Sequence, residues 1–332
     1  MAARVLRGRY WHPAGNGFVS CGLCHHQCRI PTGGSGLCRV RANEDGRLVL
    51  PFHGAISSIA VDPIEKKPLY HFFPGSSVYS VGYVGCNLHC PFCQNHEISQ
   101  STTATVKYVT PMEIVVGAKA SGCQAVAHTY SEPVVHAEFV IEAMRASRSA
   151  GLRSVLVTNG CARPEAAAGL LEYCDAVNVD LKAWDQDWYR NELGGDLDTV
   201  TSFITLAHRS GVHLEVTTLI VPGGNDDDTQ IDGIAGFLAE LSEHIPLHLS
   251  AYRPMYRYTT PATPTSTIRR LAGVAGRHLR FVYAGNLWGE RNETLCPACG
   301  SVLVSREGYR VNTSGLQNGR CARCGSSVPV IS

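Results

Sequence analysis

Three cysteines in the middle of the chain have a spacing that suits an iron–sulfur cluster. They are Cys86, Cys90 and Cys93, in the order CxxxCxxC within the segment Gly85 to Asn95. Three thiolates can bind three irons of a cubane [4Fe–4S] cluster and leave the fourth iron open to an outside ligand. An open coordination position is what a catalytic metal centre requires. The spacing therefore predicts a catalytic [4Fe–4S] cluster on these cysteines.

Two other kinds of site use part of this pattern. The segment Cys90 to Cys93 has the length of a thioredoxin-like redox pair, but Cys86 and the lack of a following thioredoxin pattern argue against it. A zinc deaminase requires His-x-Glu upstream of Pro-Cys-x-x-Cys, and the order here is different. We therefore keep the cluster as the prediction.

A second cysteine group lies near the C-terminus. Two CxxCG turns with 21 residues between them supply four thiolates: Cys296, Cys299, Cys321 and Cys324. Two chelating turns of this kind are typical of a closed tetrahedral zinc site, and the alternative is a second iron–sulfur cluster. We expect a zinc-ribbon-like module in which the metal stabilises a segment too small for a core of its own.

A third group lies near the N-terminus, where two histidines, His25 and His26, stand among four cysteines: Cys21, Cys24, Cys28 and Cys38. These residue types predict either zinc or an auxiliary [4Fe–4S] cluster. The spacing does not match the bacterial ferredoxin pattern, so the choice between the two metals stays open.

Composition narrows the class of protein. The chain has 332 residues, 44% of them hydrophobic, and 29 basic against 28 acidic residues. This balance allows a large core and argues against nucleic acid as a partner. The polar N-terminus lacks the apolar stretch of a signal peptide, and no apolar run is long enough to span a bilayer. We expect a cytoplasmic protein without a membrane partner, in which 14 cysteines serve metals rather than disulfides.

The middle of the chain alternates between two hydrophobic patterns. Buried strands are predicted over Val78–Val84, Ala125–Tyr130, Ser154–Thr158, Ala176–Leu181, His213–Val221, Leu247–Tyr252 and Arg280–Tyr283. Helices are predicted over Pro111–Ala120, Pro133–Ala150, Pro164–Tyr173, Thr199–Ser210, Asp228–Leu241 and Ser266–Ala275. This alternation predicts an α/β fold with a parallel sheet, a partial (β/α)6-type TIM barrel.

Three parts of the chain follow from these patterns. Residues 1–75 form an N-terminal Cys-rich segment, residues 76–290 the barrel core, and residues 291–332 the zinc-ribbon-like module. In barrels of parallel strands, functional residues lie at the C-terminal ends of the strands. Apart from Thr217, which lies within a predicted strand, the candidate polar residues end or follow predicted strands: Tyr130, Ser131, Glu132, Asn159, Asp180, Lys182 and Arg253.

The cluster motif resembles that of the radical S-adenosylmethionine (SAM) superfamily, CxxxCxΦC with an aromatic Φ, here Phe92. The resemblance implies that the open iron binds the amino and carboxylate groups of SAM, and that reductive cleavage gives a 5′-deoxyadenosyl radical. It implies that Phe92 packs on the adenine. The segment Tyr130 to Pro133 stands where the superfamily has Gly-Gly-Glu-Pro, which receives the amino group of SAM, although Ser131 replaces the second glycine.

The other SAM contacts implied by the resemblance have simpler alternatives. Glu132 could instead stabilise a helix N-terminus. Asn159 matches a segment that approaches the ribose and carboxylate of SAM, yet Asn-Gly is also a common turn. Asp180 and Lys182 share one face of a strand and could bind the zwitterionic end of SAM or form only a local ion pair. Thr217 and Arg253 complete the expected SAM site.

Nearly the whole chain looks like the radical SAM member of the AmmeMemoRadiSam system, which is similar to pyruvate formate-lyase activating enzymes. The segments that carry this resemblance are residues 21–28, 36–41, 62–75, 86–95 and 130–133 and the C-terminal CPxCG turn. The family implies Memo-like and AMMECR-like partners and a reductase, flavodoxin or ferredoxin as electron donor. The charged residues of segment 62–75 could line the substrate side or form a solvated loop: Asp62, Glu65, Lys66 and Lys67.

The function expected from the sequence is a radical SAM enzyme that abstracts hydrogen from an unidentified substrate. One alternative within this class is an activase that acts on a glycine of a glycyl radical enzyme. A second, non-enzymatic alternative is an iron–sulfur and zinc scaffold or sensor, and a third is an electron-transfer or disulfide-reductase protein.

Overall fold

The N-terminal part of the chain consists of short strands joined by turns. The computed structural model of the protein describes residues 6–101, 103–287, 289 and 291–332. The first strands are β1 (Trp11–Pro13), β2 (Val19–Cys21), β3 (Arg29–Ile30), β4 (Ala42–Glu44), β5 (Arg47–Val49), β6 (Ala55–Ile56) and β7 (Ser58–Pro63). Strands β1, β2 and β3 form an antiparallel sheet, and β4 pairs with β5. Strand β7 differs from these because it belongs to the large sheet of the core.

The core alternates strands with helices. Its elements are β8 (Ser77–Gly82), α1 (His96–Ser99), β9 (Lys107–Tyr108), α2 (Pro111–Ala120), β10 (Ala125–Thr129), α3 (Ala137–Ser149), β11 (Arg153–Thr158), α4 (Pro164–Leu171), β12 (Ala176–Asp180), α5 (Gln186–Trp188), α6 (Leu197–Arg209), β13 (His213–Ile220), α7 (Asp228–Leu241), β14 (Leu247–Ala251), α8 (Thr265–Ala275) and β15 (Val282–Gly285). Short 3-10 turns cover Ile64–Lys66 and Pro133–His136, and a π-helical turn covers Tyr189–Leu193. The seven core strands and six helices expected from the sequence are all present, and most of their ends lie within two residues of the prediction.

Eight strands form one sheet in the order β15-β14-β13-β12-β11-β10-β8-β7. All neighbouring pairs are parallel except β7 with β8, which is antiparallel. Among the described residues, the end strands β7 and β15 are not paired with each other, so the barrel is incomplete. The predicted α/β fold and partial barrel are confirmed.

Local sequence signals explain where the helices begin. Helix α2 starts with a capping box, in which Thr110 and Glu113 satisfy each other's backbone N–H groups and Pro111 occupies the first turn. Asp196 caps α6 and Asp227 caps α7 by accepting backbone N–H groups of the first turn. Because these caps fix the strand-to-helix turns, they also fix the loops that carry the site.

The segment from Ile64 to Gly75 enters the barrel instead of lying in solvent. Ile64, Leu69 and Phe72 are buried in one apolar cluster with inward-facing strand residues such as Val155. The backbone N–H groups of Tyr70 and His71 donate to the carboxylate of Glu215 in β13, at 3.0 and 2.7 Å. The alternative of a solvated loop is therefore wrong for most of this segment, which forms part of the barrel interior.

The C-terminal module packs beside the last core strand. It contains β16 (Arg291–Leu295), β17 (Val302–Glu307), β18 (Arg310–Asn312), β19 (Leu316–Gln317) and β20 (Arg320–Cys321). Tyr283 in β15 is hydrogen-bonded to Thr294 in β16 at 2.7 Å, and Ile331 pairs with Phe72 in the segment inside the barrel. The module therefore contacts both β15 and the segment inside the barrel. The predicted boundaries after residues 75 and 290 stay predictions, although β7 lies within the first part and joins the core sheet.

No helix among the described residues has the length and apolar character needed to cross a bilayer.

Candidate active site

One cavity of about 860 Å³ opens at the C-terminal ends of the parallel strands. Every residue that the sequence suggested for the cluster or for SAM lines it: Cys86, Cys90, Cys93, Phe92, Tyr130, Ser131, Glu132, Asn159, Asp180, Lys182, Thr217 and Arg253. These residues come from strands β8, β10, β11, β12, β13 and β14 or from the loops that follow them. The individual role of each residue stays a prediction.

The cysteine loop follows β8 and is held by the N-terminal segment. Gly85 has a left-handed φ of +78°, and a Cβ there would lie 2.5 Å from the carbonyl oxygen of Cys38. Only glycine fits such a position. The backbone N–H of Leu88 and the amide of Asn159 point at the sulfur of Cys86, at 3.3 and 3.7 Å. These donors would stabilise a thiolate at Cys86.

Burial keeps the thiols of Cys86 and Cys90 protonated when no metal is bound. It raises the pKa of Cys90 to about 11 and that of Cys86 well above its usual value. Metal binding must therefore release protons from these thiols. The positive charge of Lys182, which lines the same cavity, lowers the pKa of Cys90 and so partly offsets the effect of burial.

Glu132, which follows β10, is hydrogen-bonded to residues at the end of β11. One carboxylate oxygen accepts from the Val134 N–H at 2.9 Å and from the Thr158 hydroxyl at 2.7 Å, and the other accepts from the Asn159 N–H at 2.8 Å. Burial nevertheless raises the pKa of Glu132 to about 7, against the effect of these hydrogen bonds. The helix-capping alternative is therefore present in the structure, and one acceptor position remains for a ligand.

Two hydroxyl groups in the cavity are buried without a hydrogen-bond partner among the described residues. They are Ser131 Oγ and Thr217 Oγ1. A buried polar atom without a partner costs free energy, so such atoms in a cavity indicate a polar ligand. Together with the remaining acceptor position of Glu132, these hydroxyls offer donors and acceptors for the amino and carboxylate groups of SAM. The residues present therefore fit SAM.

Asp180 and Lys182 form an ion pair of 2.9 Å at the end of β12. Both residues line the cavity, so the local ion pair and a contact with SAM are compatible. Burial alone would lower the pKa of Lys182, but the charge and hydrogen bond of Asp180 act with Cys90 and Tyr189 to raise it. The ammonium group is therefore charged.

Phe92 and Arg253 lie at the edge of this region. Phe92 is buried in an aromatic group, with its ring centroid 6.0 Å from Trp188, 6.4 Å from Tyr252 and 6.0 Å from Tyr258. Arg253 is exposed, and its contact with a backbone oxygen is long, at 3.4 Å. Neither residue makes a polar contact that would oppose the predicted role.

The remaining wall of the cavity comes from the segment inside the barrel. Asp62 accepts from Lys66 at 2.9 Å, from Lys67 at 2.7 Å and from the Tyr130 hydroxyl. Lys67 Nζ also lies 4.3 Å from the centre of the Tyr130 ring. This network connects the segment to the strand end that carries Ser131 and Glu132. Lys66, Lys67 and Glu65 line the cavity, as the substrate-side alternative predicts.

Sequence reasoning missed other residues that line the cavity, among them His248, Asn292, Arg306 and Tyr309. His248 had a signal, since it and Ser250 are polar residues at alternate positions of an otherwise apolar strand. Arg306 is buried, donates to the Tyr70 carbonyl oxygen at 2.5 Å and lies 4.3 Å above the Tyr70 ring. No local pattern indicates this contact, because it joins residues 236 positions apart.

The four C-terminal cysteines lie close enough together to bind one metal ion. The sulfurs of Cys296 and Cys324 are 3.7 Å apart, as are those of Cys299 and Cys321. A tetrahedral zinc with bonds of about 2.3 Å places its sulfur ligands about 3.8 Å apart. Within the described residues, these four form the one group of potential ligands whose atoms all lie within 4.8 Å of one another. The group can bind a metal, and its geometry suits zinc.

The N-terminal cysteines surround a hairpin next to the cluster loop. Cys21 and Cys28 face each other across the end of β2 and β3, with a backbone hydrogen bond of 2.9 Å. Two histidines of this hairpin contact the core: His26 bonds to the Asn87 carbonyl oxygen at 2.7 Å and His25 to that of Gly194 at 2.9 Å. These histidines therefore attach the hairpin to the core, and the metal of the four cysteines stays a prediction.

Comparison with known proteins identifies the family. The profile of the Radical SAM superfamily matches residues 80–237. An uncharacterised protein of Methanocaldococcus jannaschii is 36% identical over 321 residues, which are 94% of this chain and 96% of that protein. The pyruvate formate-lyase 1-activating enzyme of Escherichia coli K12 is 24% identical over 185 residues, which are 53% of this chain and 74% of the enzyme. The chain belongs to the radical SAM superfamily and is similar to pyruvate formate-lyase activating enzymes.

Solved structures share the fold. SuiB of Streptococcus suis bound to S-adenosylmethionine has a TM-score of 0.52 and 16% identity, over 68% of this chain and 53% of that chain. A radical SAM methyltransferase from Sphaerobacter thermophilus also has a TM-score of 0.52 and 16% identity, over 70% of this chain and 71% of that chain. At this identity the likeness concerns the fold of the core.

SAM binding is expected to depend on the charge of Glu132. With a pKa of about 7, this carboxyl is mostly ionised at pH 8 and mostly protonated at pH 6. A protonated carboxyl no longer attracts the SAM ammonium group, so the dissociation constant should rise roughly tenfold between pH 8 and pH 6. Anaerobic calorimetry on the cluster-loaded protein measures this. Glu132→Gln should bind weakly at both pH values, and an unchanged pH dependence in that variant would contradict the assignment.

Loss of one C-terminal cysteine is expected to release the metal of that module alone. Cys321→Ser leaves three thiolates, and elemental analysis should show about one zinc fewer per chain with the iron content unchanged. Because the metal stabilises a segment with a small core, limited proteolysis should cut within residues 296–324. A Cys174→Ser variant, which changes a buried cysteine outside the three groups, is the control. Equal zinc content in the two variants would refute this site.

Proposed function

We propose that this protein is a radical SAM enzyme that cleaves SAM reductively and abstracts a hydrogen atom from a substrate not yet identified. The observation that carries the proposal is the convergence of the CxxxCxxC loop and nine SAM-site candidates on one cavity at the ends of the parallel strands. Such a position is where barrels of this type hold their reactive groups. Family membership supports an enzyme and leaves the reaction open.

Different residues would bind the cluster, bind SAM and exclude water. Cys86, Cys90 and Cys93 would hold the [4Fe–4S] cluster, which with bound SAM supplies a 5′-deoxyadenosyl radical. The ammonium and carboxylate of SAM would be received by the polar residues at the strand ends: Ser131, Glu132, Asn159, Asp180, Lys182 and Thr217. The segment inside the barrel and the C-terminal module would exclude water from the reacting centre.

Partners and other metals belong to the same proposal. A reductase, flavodoxin or ferredoxin would supply the electron, and Memo-like and AMMECR-like proteins are proposed partners on the resemblance to the AmmeMemoRadiSam system. We propose zinc at the C-terminal cysteines and zinc or an auxiliary cluster at the N-terminal ones. A cytoplasmic location agrees with clustered thiols, which persist in a reducing compartment.

The similarity to pyruvate formate-lyase 1-activating enzyme favours a second candidate, the activation of a glycyl radical enzyme at a glycine Cα. A protein substrate must insert a peptide into the cavity. Here the wall opposite the cluster contains Lys66, Arg306 and Tyr309, and part of it comes from the C-terminal module. Because an activase does not need the terminal metal segments, we prefer the first candidate. A gene for a glycyl radical enzyme beside this one would favour the second.

The test is anaerobic reconstitution with iron and sulfide, addition of SAM and a strong reductant, and detection of 5′-deoxyadenosine by mass spectrometry. Product should form with the unaltered protein and be lost in a variant with alanine at positions 86, 90 and 93. A non-catalytic scaffold or sensor would bind a cluster and yield no product. An electron-transfer or disulfide-reductase protein would show redox cycling of the cluster without 5′-deoxyadenosine.

A further inference from the structure

A row of polar side chains crosses the barrel interior at the level of the SAM site. Asp180, Thr217, His248 and Tyr283 are register partners on four neighbouring strands, β12 to β15, so their side chains share one face. Asp180, Thr217 and His248 all line the cavity. Since neighbouring strands are about 4.8 Å apart, Asp180 and His248 lie roughly 10 Å from each other. The row thus extends from the SAM-site candidates to the opposite part of the cavity.

A buried carboxylate orients His248. Glu215 is fully buried, and its two oxygens accept four hydrogen bonds: from Tyr70 N at 3.0 Å, His71 N at 2.7 Å, His213 Nε2 at 2.9 Å and His248 Nε2 at 2.7 Å. Burial alone would raise the pKa of Glu215, but the hydrogen bonds from the two histidines hold it well below its usual value. The carboxylate is therefore ionised and can only accept hydrogen bonds.

This arrangement fixes which nitrogen of His248 carries hydrogen when the ring is neutral. Because Glu215 only accepts, Nε2 of His248 must carry the hydrogen, and in the neutral ring Nδ1 is then an acceptor. Within the described part of the chain, the hydrogen bond of the His248 side chain runs through Nε2 to Glu215, and the residue lines the cavity. The ring is held edge-on by Tyr70 at 4.7 Å and tilted against Tyr283 at 5.3 Å. A carboxylate and an imidazole that it orients, on a residue that lines a cavity, are the parts of a general base.

We propose that His248, oriented by Glu215, is an acid–base residue for the substrate in the part of the cavity opposite the cluster. The substrate is then a molecule with a hydroxyl or amine hydrogen near the carbon that loses its hydrogen atom. In the step assigned to His248, the O–H or N–H bond of the substrate breaks and an Nδ1–H bond forms. The electron pair stays on the substrate oxygen or nitrogen, and no oxidant is needed. The assignment rests on the proposed function, since it requires a substrate in this cavity.

The structure also supplies a matched control residue. His213 makes the same kind of hydrogen bond to the other oxygen of Glu215, but it is not among the residues that line the cavity. If these histidines only hold Glu215 in place, His213→Gln and His248→Gln should have equal effects. If His248 is the acid–base residue, only His248→Gln should affect turnover of the substrate. Glutamine can keep a donor near the position of Nε2 but cannot take up a proton.

The first measurement concerns the ring itself. The protein is labelled with ¹⁵N-histidine, loaded with its cluster, and studied by long-range ¹H–¹⁵N NMR, with the His248 signals assigned by their loss in His248→Gln. The expected result is that Nε2 of His248 carries hydrogen and Nδ1 does not. Hydrogen on Nδ1 of the neutral ring would overturn the proposal, because Nδ1 would then have no lone pair to accept a proton.

The second measurement tests function while the substrate is still unidentified. Cells of the source organism carry the unaltered gene, Cys90→Ala, His248→Gln or His213→Gln, and their small-molecule profiles are compared. His248→Gln should reproduce the changes caused by Cys90→Ala, whereas the purified control variant His213→Gln should form 5′-deoxyadenosine from SAM within about twofold of the unaltered rate. His213→Gln should resemble the unaltered gene.

The outcomes separate the two proposals. A normal profile for His248→Gln, or equal effects of the two histidine variants, overturns the role of His248 while 5′-deoxyadenosine formation still supports the enzyme. Absence of 5′-deoxyadenosine from the unaltered protein, with a normal profile for Cys90→Ala, refutes the proposed function itself.

Discussion

Replacing Cys90 with alanine is expected to lower both cluster binding and 5′-deoxyadenosine formation by about 100-fold or more. Loss of a metal ligand should reduce metal affinity at least as much as loss of a residue that hydrogen-bonds to a ligand. Cys90 lies on the loop between β8 and α1, and burial holds the pKa of its thiol at about 11. Two remaining thiolates cannot hold three irons of the cluster. Iron and sulfide content, the visible spectrum and 5′-deoxyadenosine yield should all fall in the same variant.

The matched control for this change is Cys123→Ala. Cys123 is also buried, but it stands alone just after the end of α2, outside the three cysteine groups. Its replacement should leave iron content and product yield unchanged, with only the stability loss of a small core substitution. If Cys90→Ala keeps a full complement of iron and still forms product, Cys90 does not bind the cluster and the ligand assignment is wrong.

Replacing Arg41 with methionine is expected to destabilise the protein by about 3–5 kcal/mol, because it leaves a buried charge without its partner. Arg41 bonds to Glu138 in α3 at 2.7 and 2.9 Å, and both side chains are buried. Burial alone would raise the pKa of Glu138, but the Arg41 guanidinium holds it below its usual value. The free energy of unfolding, measured anaerobically by urea titration with the metals bound, reports the loss.

The control for the Arg41 variant removes both charges. Arg41→Met with Glu138→Leu leaves no unpaired ion, so it should recover much of the lost stability. Arg41 also donates to the Arg9 carbonyl oxygen at 2.6 Å and follows Cys38 closely in the chain, so the single variant should loosen the N-terminal hairpin as well. Equal stability of the single and double variants would show that an unpaired charge on Glu138 is not the cause of the loss.

Local sequence signals were enough to predict the sheet and the cluster loop. Buried strands such as β11 are largely apolar runs, the helix caps are single residues, and CxxxCxxC is contained within eight positions. Because parallel strands end at one edge, the same reasoning predicted that Glu132, Asn159 and Asp180 come together. The cavity contains all of them. What each contacts in the holoenzyme stays a prediction.

Local sequence did not predict the side of the cavity that is formed by the segment inside the barrel. The segment after β7 looks polar, yet Ile64, Leu69 and Phe72 place it inside the barrel. Lys67 is buried there only because Asp62 and the Tyr130 ring neutralise and cover its charge. Such compensation depends on residues far apart in the chain, and a window of local sequence does not contain them.

The wall formed by the C-terminal module also bears on the order of folding. Its contacts connect positions 236 and 258 residues apart, Tyr70 with Arg306 and His71 with Pro329. Contacts between such distant positions carry a higher loop-closure cost than the pairing of neighbouring core strands, so we expect them to form later. We therefore expect a folding intermediate in which the cysteine loop and the SAM-side strand ends are already assembled while the opposite side is still open. Iron and sulfide would enter most easily at that stage.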